Sequence, residues 1–225
     1  MPPVLVFLHG WALDASLWDG LAARLGGYRR EIVDFGYFGA PVSPPILGAD
    51  REAGAPVIAR EAGAPVIAVG HSFGALWFLH ERPFACDGFV AINGFPRFTE
   101  APDFPDATPR RVVERMIQRF DQDAEAVLLS FRARCGLDDA LPGALRRERL
   151  RADLAALRDW DAREALAASE APLLALGGAL DPIVPRQAFP QAALHPGGGH
   201  VLPLTEPEWC ADHIRRFLRH WEKGG

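Results

Sequence analysis

Val66-Ile67-Ala68-Val69-Gly70-His71-Ser72-Phe73-Gly74-Ala75-Leu76-Trp77-Phe78-Leu79-His80 decides the fold. The unbroken apolar run Val66 to Val69 suits a strand buried on both faces of a parallel sheet, and Ala75 to His80 suit a helix. Between them lies Gly70-x-Ser72-x-Gly74. A serine that attacks an acyl group needs its oxygen lifted clear of the backbone, close to a base, with amide donors facing the developing oxyanion. A sharp strand-to-helix turn supplies this, and glycines at its two ends let the backbone pass close to its neighbours. The stretch predicts a strand, a nucleophile elbow at Ser72 and a helix.

Working outward, apolar runs suited to further buried strands recur at Val4 to Leu8, Ile32 to Val33, Phe89 to Ile92 and Leu173 to Leu176. Helical patterns lie between them. Asp14 is placed to cap a helix carrying Leu17, Leu21 and Leu25, and Cys210, Ile214, Phe217, Leu218 and Trp221 repeat at helical spacing near the end. Alternating strands and helices imply an α/β protein with a mostly parallel, doubly wound sheet. The alternation stops between Phe95 and Ala168, where helical patterns are expected at Pro109 to Phe120, Ala124 to Arg134, Leu145 to Leu157 and Ala162 to Ala168. In the first of these Val112, Val113, Met116, Ile117 and Phe120 are expected to face inward. This predicts a helical cap, 95–168, inserted into a core made of 1–94 and 169–225.

The nine residues Arg51 to Ala59 are repeated without change as Arg60 to Ala68. A slip of nine is odd, so exchanging the copies would turn every strand side chain to the opposite face. The second copy runs directly into Gly70 and is assigned the strand. The first falls where a helix should cross the sheet, although Gly54 and Pro56 suit a helix interior poorly.

A serine nucleophile needs an acid and a histidine later in the chain, the acid just past a later strand and the histidine in a loop before the last helix. Asp181 follows the strand at Leu173 to Leu176, and His200 closes the loop Pro196-Gly197-Gly198-Gly199. His200 is expected to take the serine proton, with Asp181 fixing its tautomer and stabilising its cation. His195 is the nearest rival base, but it precedes the glycine run, where the chain should still be leaving the last strand. Asp34 reads as a structural aspartate. The oxyanion donors are expected to be the backbone amides of Phe73 and of Trp11, the latter in the loop His9-Gly10-Trp11, with His9 bracing that loop.

Length and composition narrow the classes. The 225 residues can bury one full core, and 49% hydrophobic residues, 24% charged residues and a net charge of -5 describe an ordinary globular protein. That balance points away from nucleic acid. Val4 to Leu8 is too short for a signal-peptide core or a membrane span, so a cytoplasmic location away from membranes is expected. Cys86, Cys135 and Cys210 match no disulfide or metal framework, and neither a metal nor a cofactor is implied.

Leu8-His9-Gly10-Trp11, Gly36-Tyr37-Phe38-Gly39, the Ser72 elbow, Asp181 and His200 together resemble the α/β-hydrolase superfamily over nearly the whole length. The resemblance within it is to the BioH-type carboxylesterases of biotin synthesis, which cleave the methyl ester of pimeloyl-acyl carrier protein. That likeness is carried by the His-Gly-Trp turn, the helical segment after Ala91-Ile92-Asn93-Gly94-Phe95, and Leu180-Asp181-Pro182-Ile183-Val184-Pro185. It implies an acyl ester substrate held on an acyl carrier protein, a monomer, and cap arginines meeting the carrier, which would suit Arg132, Arg134, Arg146, Arg147, Arg149 or Arg151. Phe95, Phe98, Met116, Phe120 and Phe131 would line the acyl channel, and His71 joins the expected substrate contacts. Two departures stand out: no antiparallel strands precede the strand leading to His9, so one sheet edge should be shorter, and 41–56 makes a poor crossover helix. A short-acyl esterase, a carbon-carbon hydrolase of the same fold and a non-catalytic binding protein remain the alternatives.

Overall fold

Val4–Leu8 (β1), Arg29–Val33 (β2), Val66–His71 (β3), Gly88–Ile92 (β4), Leu173–Gly178 (β5) and Ala193–His195 (β6) are the strands of the computed structural model, which describes residues 1–39, 63–184 and 188–222. They form one sheet in the order β2-β1-β3-β4-β5-β6, with every neighbouring pair parallel. The second copy of the duplication enters β3 with Val66 opposite Val4; the first copy and the stretch 41–56 lie outside the described residues. Among the described residues the sheet ends at β2 on one side. The short β6 escapes a reading by apolar runs, because Leu194 faces out at 59% exposure.

A parallel sheet needs cover on both faces, and period-two alternation within each apolar strand supplies both. Val4, Val6, Leu8, Ala68, Phe89 and Ala91 pack toward helix α2, Phe73–Glu81. Leu5, Phe7, Ile67, Val69, Val90 and Ile92 pack with α1, Asp19–Arg24, and the last helix, α8, Pro207–Glu222. The predicted first helix divides: Asp14 accepts from the Ser16 N–H and caps a 3-10 turn, Ala15–Trp18, before α1 begins, while Leu17, Leu21 and Leu25 all stay buried. Helix α2 is buried from Phe73 through Leu79, as expected of a helix apolar all round.

Between β4 and β5 run α3, Arg110–Gln122, α4, Ala124–Arg134, α5, Arg147–Asp159, and α6, Arg163–Ala167. Asp123 ends α3 and caps α4 by accepting from the Ala126 N–H at 3.0 Å. Helix α3 buries Val113, Ile117 and Phe120, but Val112 is 41% exposed rather than inward, because it lies about 100° around the helix from Val113. Helix α5 starts later than expected, since Leu145 is held in an antiparallel bridge to Phe38. A short α7, Leu202–Thr205, precedes α8.

These four helices, α3 to α6, share one apolar cluster with Leu8, Trp11 and Phe73, so they sit directly on the rim where β1 and β3 end. Polar contacts pin them there. The Tyr37 hydroxyl donates to Asp153 Oδ2 at 2.7 Å, Arg149 Nε donates to the same oxygen at 2.8 Å, and the Trp11 indole donates to the Leu150 carbonyl at 2.8 Å. Burial holds the Tyr37 hydroxyl well above its ordinary pKa and raises that of Asp153. Burial likewise pushes the Cys86 thiol up to about 11 and those of Cys135 and Cys210 to about 12. Among the described residues no helix is long and apolar enough to cross a membrane.

Removing a donor from a buried carboxylate costs roughly 1.5–3 kcal/mol. Tyr37→Phe should lower unfolding stability by about that much in a urea titration; an unchanged midpoint would show that this contact does not hold α5 against the sheet.

Candidate active site

Ser72 sits between β3 and α2 at φ 50° and ψ -121°. A non-glycine residue pays on the order of 1–3 kcal/mol in such a conformation and keeps it only when its surroundings over-determine it. They do so here. A Cβ on Gly74 would lie 2.2 Å from the Leu8 carbonyl oxygen, so only glycine lets the start of α2 press against the end of β1. The Ser72 N–H is tied to the Ile92 carbonyl at 3.1 Å, and its own carbonyl accepts from Ala75 at 3.0 Å.

The structure brings Asp181 and His200 to this turn. His200 Nε2 lies 3.1 Å from Ser72 Oγ and His200 Nδ1 lies 2.9 Å from Asp181 Oδ2. With Nδ1–H donated to the carboxylate, the Nε2 lone pair is left to accept the serine proton. Both side chains are buried, at 1% and 4% exposure. Burial alone would raise the Asp181 pKa, but donors from His200, the Ile183 N–H and Asn93 outweigh it and hold the group below its usual value. Asp181 is therefore an anion at neutral pH, facing an imidazole that becomes cationic if it takes the serine proton.

Asn93 carries no role in the sequence reading, yet it is central to this arrangement. Its Nδ2 donates to Asp181 Oδ2 at 2.6 Å and to the Gly199 carbonyl at 3.2 Å, tying the acid loop to the histidine loop. Its backbone is left-handed at φ 46°. The available signal is its position, at a strand end before Gly94, because asparagine tolerates that conformation better than most residues.

On the other side of the serine, Gly10 to Leu13 form a turn closed by a 3.4 Å hydrogen bond, with Ala12 left-handed at φ 60°. The Phe35 N–H donates to His9 Nε2 at 2.9 Å, so His9 Nδ1 carries the proton and donates to the Gly10 carbonyl at 2.9 Å. His9 thus braces the loop. Asp34 receives the Gly36 N–H at 2.7 Å and stands apart from the serine. Among the described residues no hydrogen bond engages the backbone N–H of Trp11 or Phe73. Two buried, unengaged amides beside a buried serine suit an oxygen that gains negative charge.

The expected substrate contacts divide. His71 is fully buried and donates from Nε2 to the His200 carbonyl at 2.9 Å, so it supports the histidine loop from beneath and offers substrate no surface. Phe95 and Phe120 are buried, the first against Phe98 and the second 6.4 Å from Trp11. Phe131 is half-buried, meets Trp11 edge-on at 5.0 Å and lines a surface groove of about 500 Å³ between α3 and α4. Of the arginines, Arg132 is 4% exposed and held by the Ala12 carbonyl and Asp139, and Arg149 is turned onto Asp153 and over the Phe35 ring. Neither extends freely from the surface, because Arg132 reaches the Ala12 carbonyl and Arg149 lies over the Phe35 ring. Arg146 is exposed at the start of α5. The sequence reading missed Arg115 and Arg119, which line the groove with Arg134 and Met116; their i, i+4 spacing on α3 was the available signal. His195 approaches Glu206 at 3.6 Å, and the imidazole that meets Ser72 Oγ is that of His200.

A family model described as Alpha/beta hydrolase family matches residues 5–213. The chain belongs to the alpha/beta hydrolase family. Among its relatives, this hydrolase is 29% identical over 252 residues to the pimeloyl-[acyl-carrier protein] methyl ester esterase of Xanthomonas campestris pv. campestris (strain B100), covering 96% of this chain and 95% of that one. The protein of that name from Sodalis glossinidius (strain morsitans) is 30% identical over 216 residues, covering 83% of this hydrolase and 78% of the relative. In fold it is similar to an esterase from Exiguobacterium antarcticum, with a TM-score of 0.74 and 20% identity over 97% of this chain and 92% of the other. A bromoperoxidase from Bacillus anthracis superposes with a TM-score of 0.75 at 22% identity, with the same coverage of 97% and 92%.

Burial, reinforced by the nearby His200, pushes the His71 pKa down from 6.5 to about 3. Between those values the unfolded chain binds a proton that the folded hydrolase does not, so stability falls as the pH drops. From this residue the loss between pH 7 and pH 5 should be roughly 2 kcal/mol. His71→Gln keeps a donor for the His200 carbonyl and cannot titrate. Urea midpoints at the two pH values should differ less in this variant; equal differences in both proteins would contradict the assignment.

Proposed function

We propose that this hydrolase is a serine carboxylesterase and that its substrate is the methyl ester of a pimeloyl group carried on acyl carrier protein. The observation that carries the chemistry is the unbroken contact from Ser72 Oγ through His200 to Asp181 at 3.1 and 2.9 Å. The substrate is carried by the names of the relatives that match along 96% and 83% of the chain.

In this reading Ser72 Oγ attacks the ester carbonyl while His200 Nε2 takes its proton, and the Trp11 and Phe73 amides receive the oxyanion. Collapse expels the alcohol, which takes the proton from His200, and leaves the acyl group on Ser72. A water then attacks the acyl-enzyme by the same route, giving the acid and restoring the serine. Asp181, ionised throughout, holds the imidazole's tautomer and stabilises its cation. Every proton moves between Ser72, His200, alcohol and water, so the reaction as written uses no cofactor.

The segment 95–168 serves as the cap over this centre. Phe131, Met116 and Val127 give its groove an apolar floor, and Arg115, Arg119 and Arg134 give it a cationic rim. That combination suits an acyl chain on an acidic carrier better than the inward-held Arg132 and Arg149 do. A carrier-linked substrate suits a cytoplasmic location, and the enzyme is proposed to act there as a monomer.

Synthetic pimeloyl-acyl carrier protein methyl ester provides the test. Wild type should release methanol from it, with KM rising as salt is added. Ser72→Ala should lower kcat by roughly 10⁵- to 10⁶-fold, the scale seen when a serine nucleophile is removed. Retained turnover in Ser72→Ala would remove the serine mechanism. Hydrolysis of short p-nitrophenyl esters with none of the carrier-linked ester would leave a short-acyl esterase, and no turnover of either by folded wild type would favour a binding protein.

A further inference from the structure

We propose that Arg132 is a positioning residue that aims the Trp11 backbone N–H into the oxyanion site, so that seating of the helical insertion and turnover are coupled. This rests on the assignment of Trp11 as an oxyanion donor. Arg132 lies on the inner face of α4 and is 4% exposed. Its Nη1 donates to the Ala12 carbonyl at 3.1 Å and its Nη2 to Asp139 Oδ1 at 2.8 Å, while Nε is buried with no partner among the described residues. Burying a guanidinium without satisfying all its donors is unfavourable, so the contacts it does make matter for the groups it holds.

Those groups belong to the turn that carries Trp11. Ala12 holds a left-handed φ of 60°, and the hydrogen bond that closes the turn, Leu13 N–H to the Gly10 carbonyl, is long at 3.4 Å. Left to itself, such a turn with alanine at its third position would relax, because the conformation suits glycine. The insertion prevents this from two sides. Arg132 fixes the carbonyl of Ala12, and the Leu150 carbonyl of α5 fixes the Trp11 indole at 2.8 Å, with Phe131 packed edge-on to that ring at 5.0 Å. The Gly10–Trp11 peptide, whose N–H is unengaged, stands immediately before these two anchors, and its carbonyl is the one that closes the turn with Leu13. An oxyanion donor must point where charge appears in the transition state and has little effect on ground-state binding. Loss of Arg132 should therefore be felt in kcat and hardly in KM.

The test compares Arg132→Met, which keeps the apolar stem and removes the donors, with Arg132→Lys, which keeps one donor for the Ala12 carbonyl. Asp139→Ala, at a side chain 63% exposed, loosens the guanidinium from outside and serves if Arg132→Met fails to fold. Each is assayed with p-nitrophenyl butyrate and with an alkylboronic acid, which mimics the tetrahedral adduct on the serine. Removing an oxyanion donor outright costs roughly 10²- to 10³-fold in kcat, and a mis-aimed one should cost less. Arg132→Met should lose about 10- to 100-fold in kcat, with KM within about twofold and boronic acid affinity reduced in step. Arg132→Lys should recover much of the loss, and Asp139→Ala should show a smaller fall of the same kind. Folded Arg132→Met with kcat within twofold of wild type overturns the inference, as does a change confined to KM. Ser72→Ala, run beside it, separates the failures: an active Ser72→Ala removes the serine reading itself, whereas an inactive Ser72→Ala with an unimpaired Arg132→Met removes only the role of Arg132.

Discussion

Ser72 is held in a backbone conformation that costs free energy, and the surrounding fold is arranged to enforce it. Two close approaches do this: α2 against the end of β1 at Gly74, and the elbow against β4 through the Ser72 N–H and the Ile92 carbonyl. The same approach sets Gly74 against the Leu8 and His9 carbonyls, directly before the Trp11 turn. A parallel sheet makes this economical, because β1, β3, β4 and β5 all end at one rim. From that rim emerge His9 and Trp11, Ser72, Asn93 and Asp181, so groups far apart in sequence need only short loops to meet.

Burial sets the electrostatics of the cluster. Taking a carboxylate out of water disfavours its charge, yet Asp181 stays ionised because the Ile183 and Val184 N–H groups, Asn93 and His200 all donate to it. His71 moves the other way. It is kept neutral by burial, so it can offer one N–H to the His200 carbonyl without adding a positive charge beneath the imidazole. The result is an anion, an imidazole and a serine, shielded from water in a setting where each interaction is stronger than it would be in solvent.

Much of this was legible in the sequence, and the exceptions have physical causes. Buried strands announce themselves by unbroken apolar runs, which gave β1, β3, β4 and β5 nearly to the residue; β6 carries an exposed leucine and no run, and it did not. Ser72, Asp181 and His200 were legible through spacing, because strand, turn and loop leave few places for them. Asn93 was not, since a hydrogen bond to Asp181 across 88 positions leaves no local pattern. Arginine roles were misread most. The resemblance sets the cap arginines against a carrier, whereas Arg132 reaches the Ala12 carbonyl across the packed fold and Arg149 turns onto Asp153 of its own helix and over the Phe35 ring.

The helices between β4 and β5 therefore do more than add to the apolar core. They hold the loops on either side of Ser72 through Tyr37, Trp11 and Ala12, and α3 and α4 present a groove. The proposed proton relay, in which His200 activates Ser72, is tested most directly by mass spectrometry of peptides after fluorophosphonate treatment. Wild type should carry a single phosphonyl adduct on Ser72, and folded His200→Ala should react far more slowly. Folded wild type with no adduct on Ser72, or a variant labelled as fast as wild type, would contradict the relay.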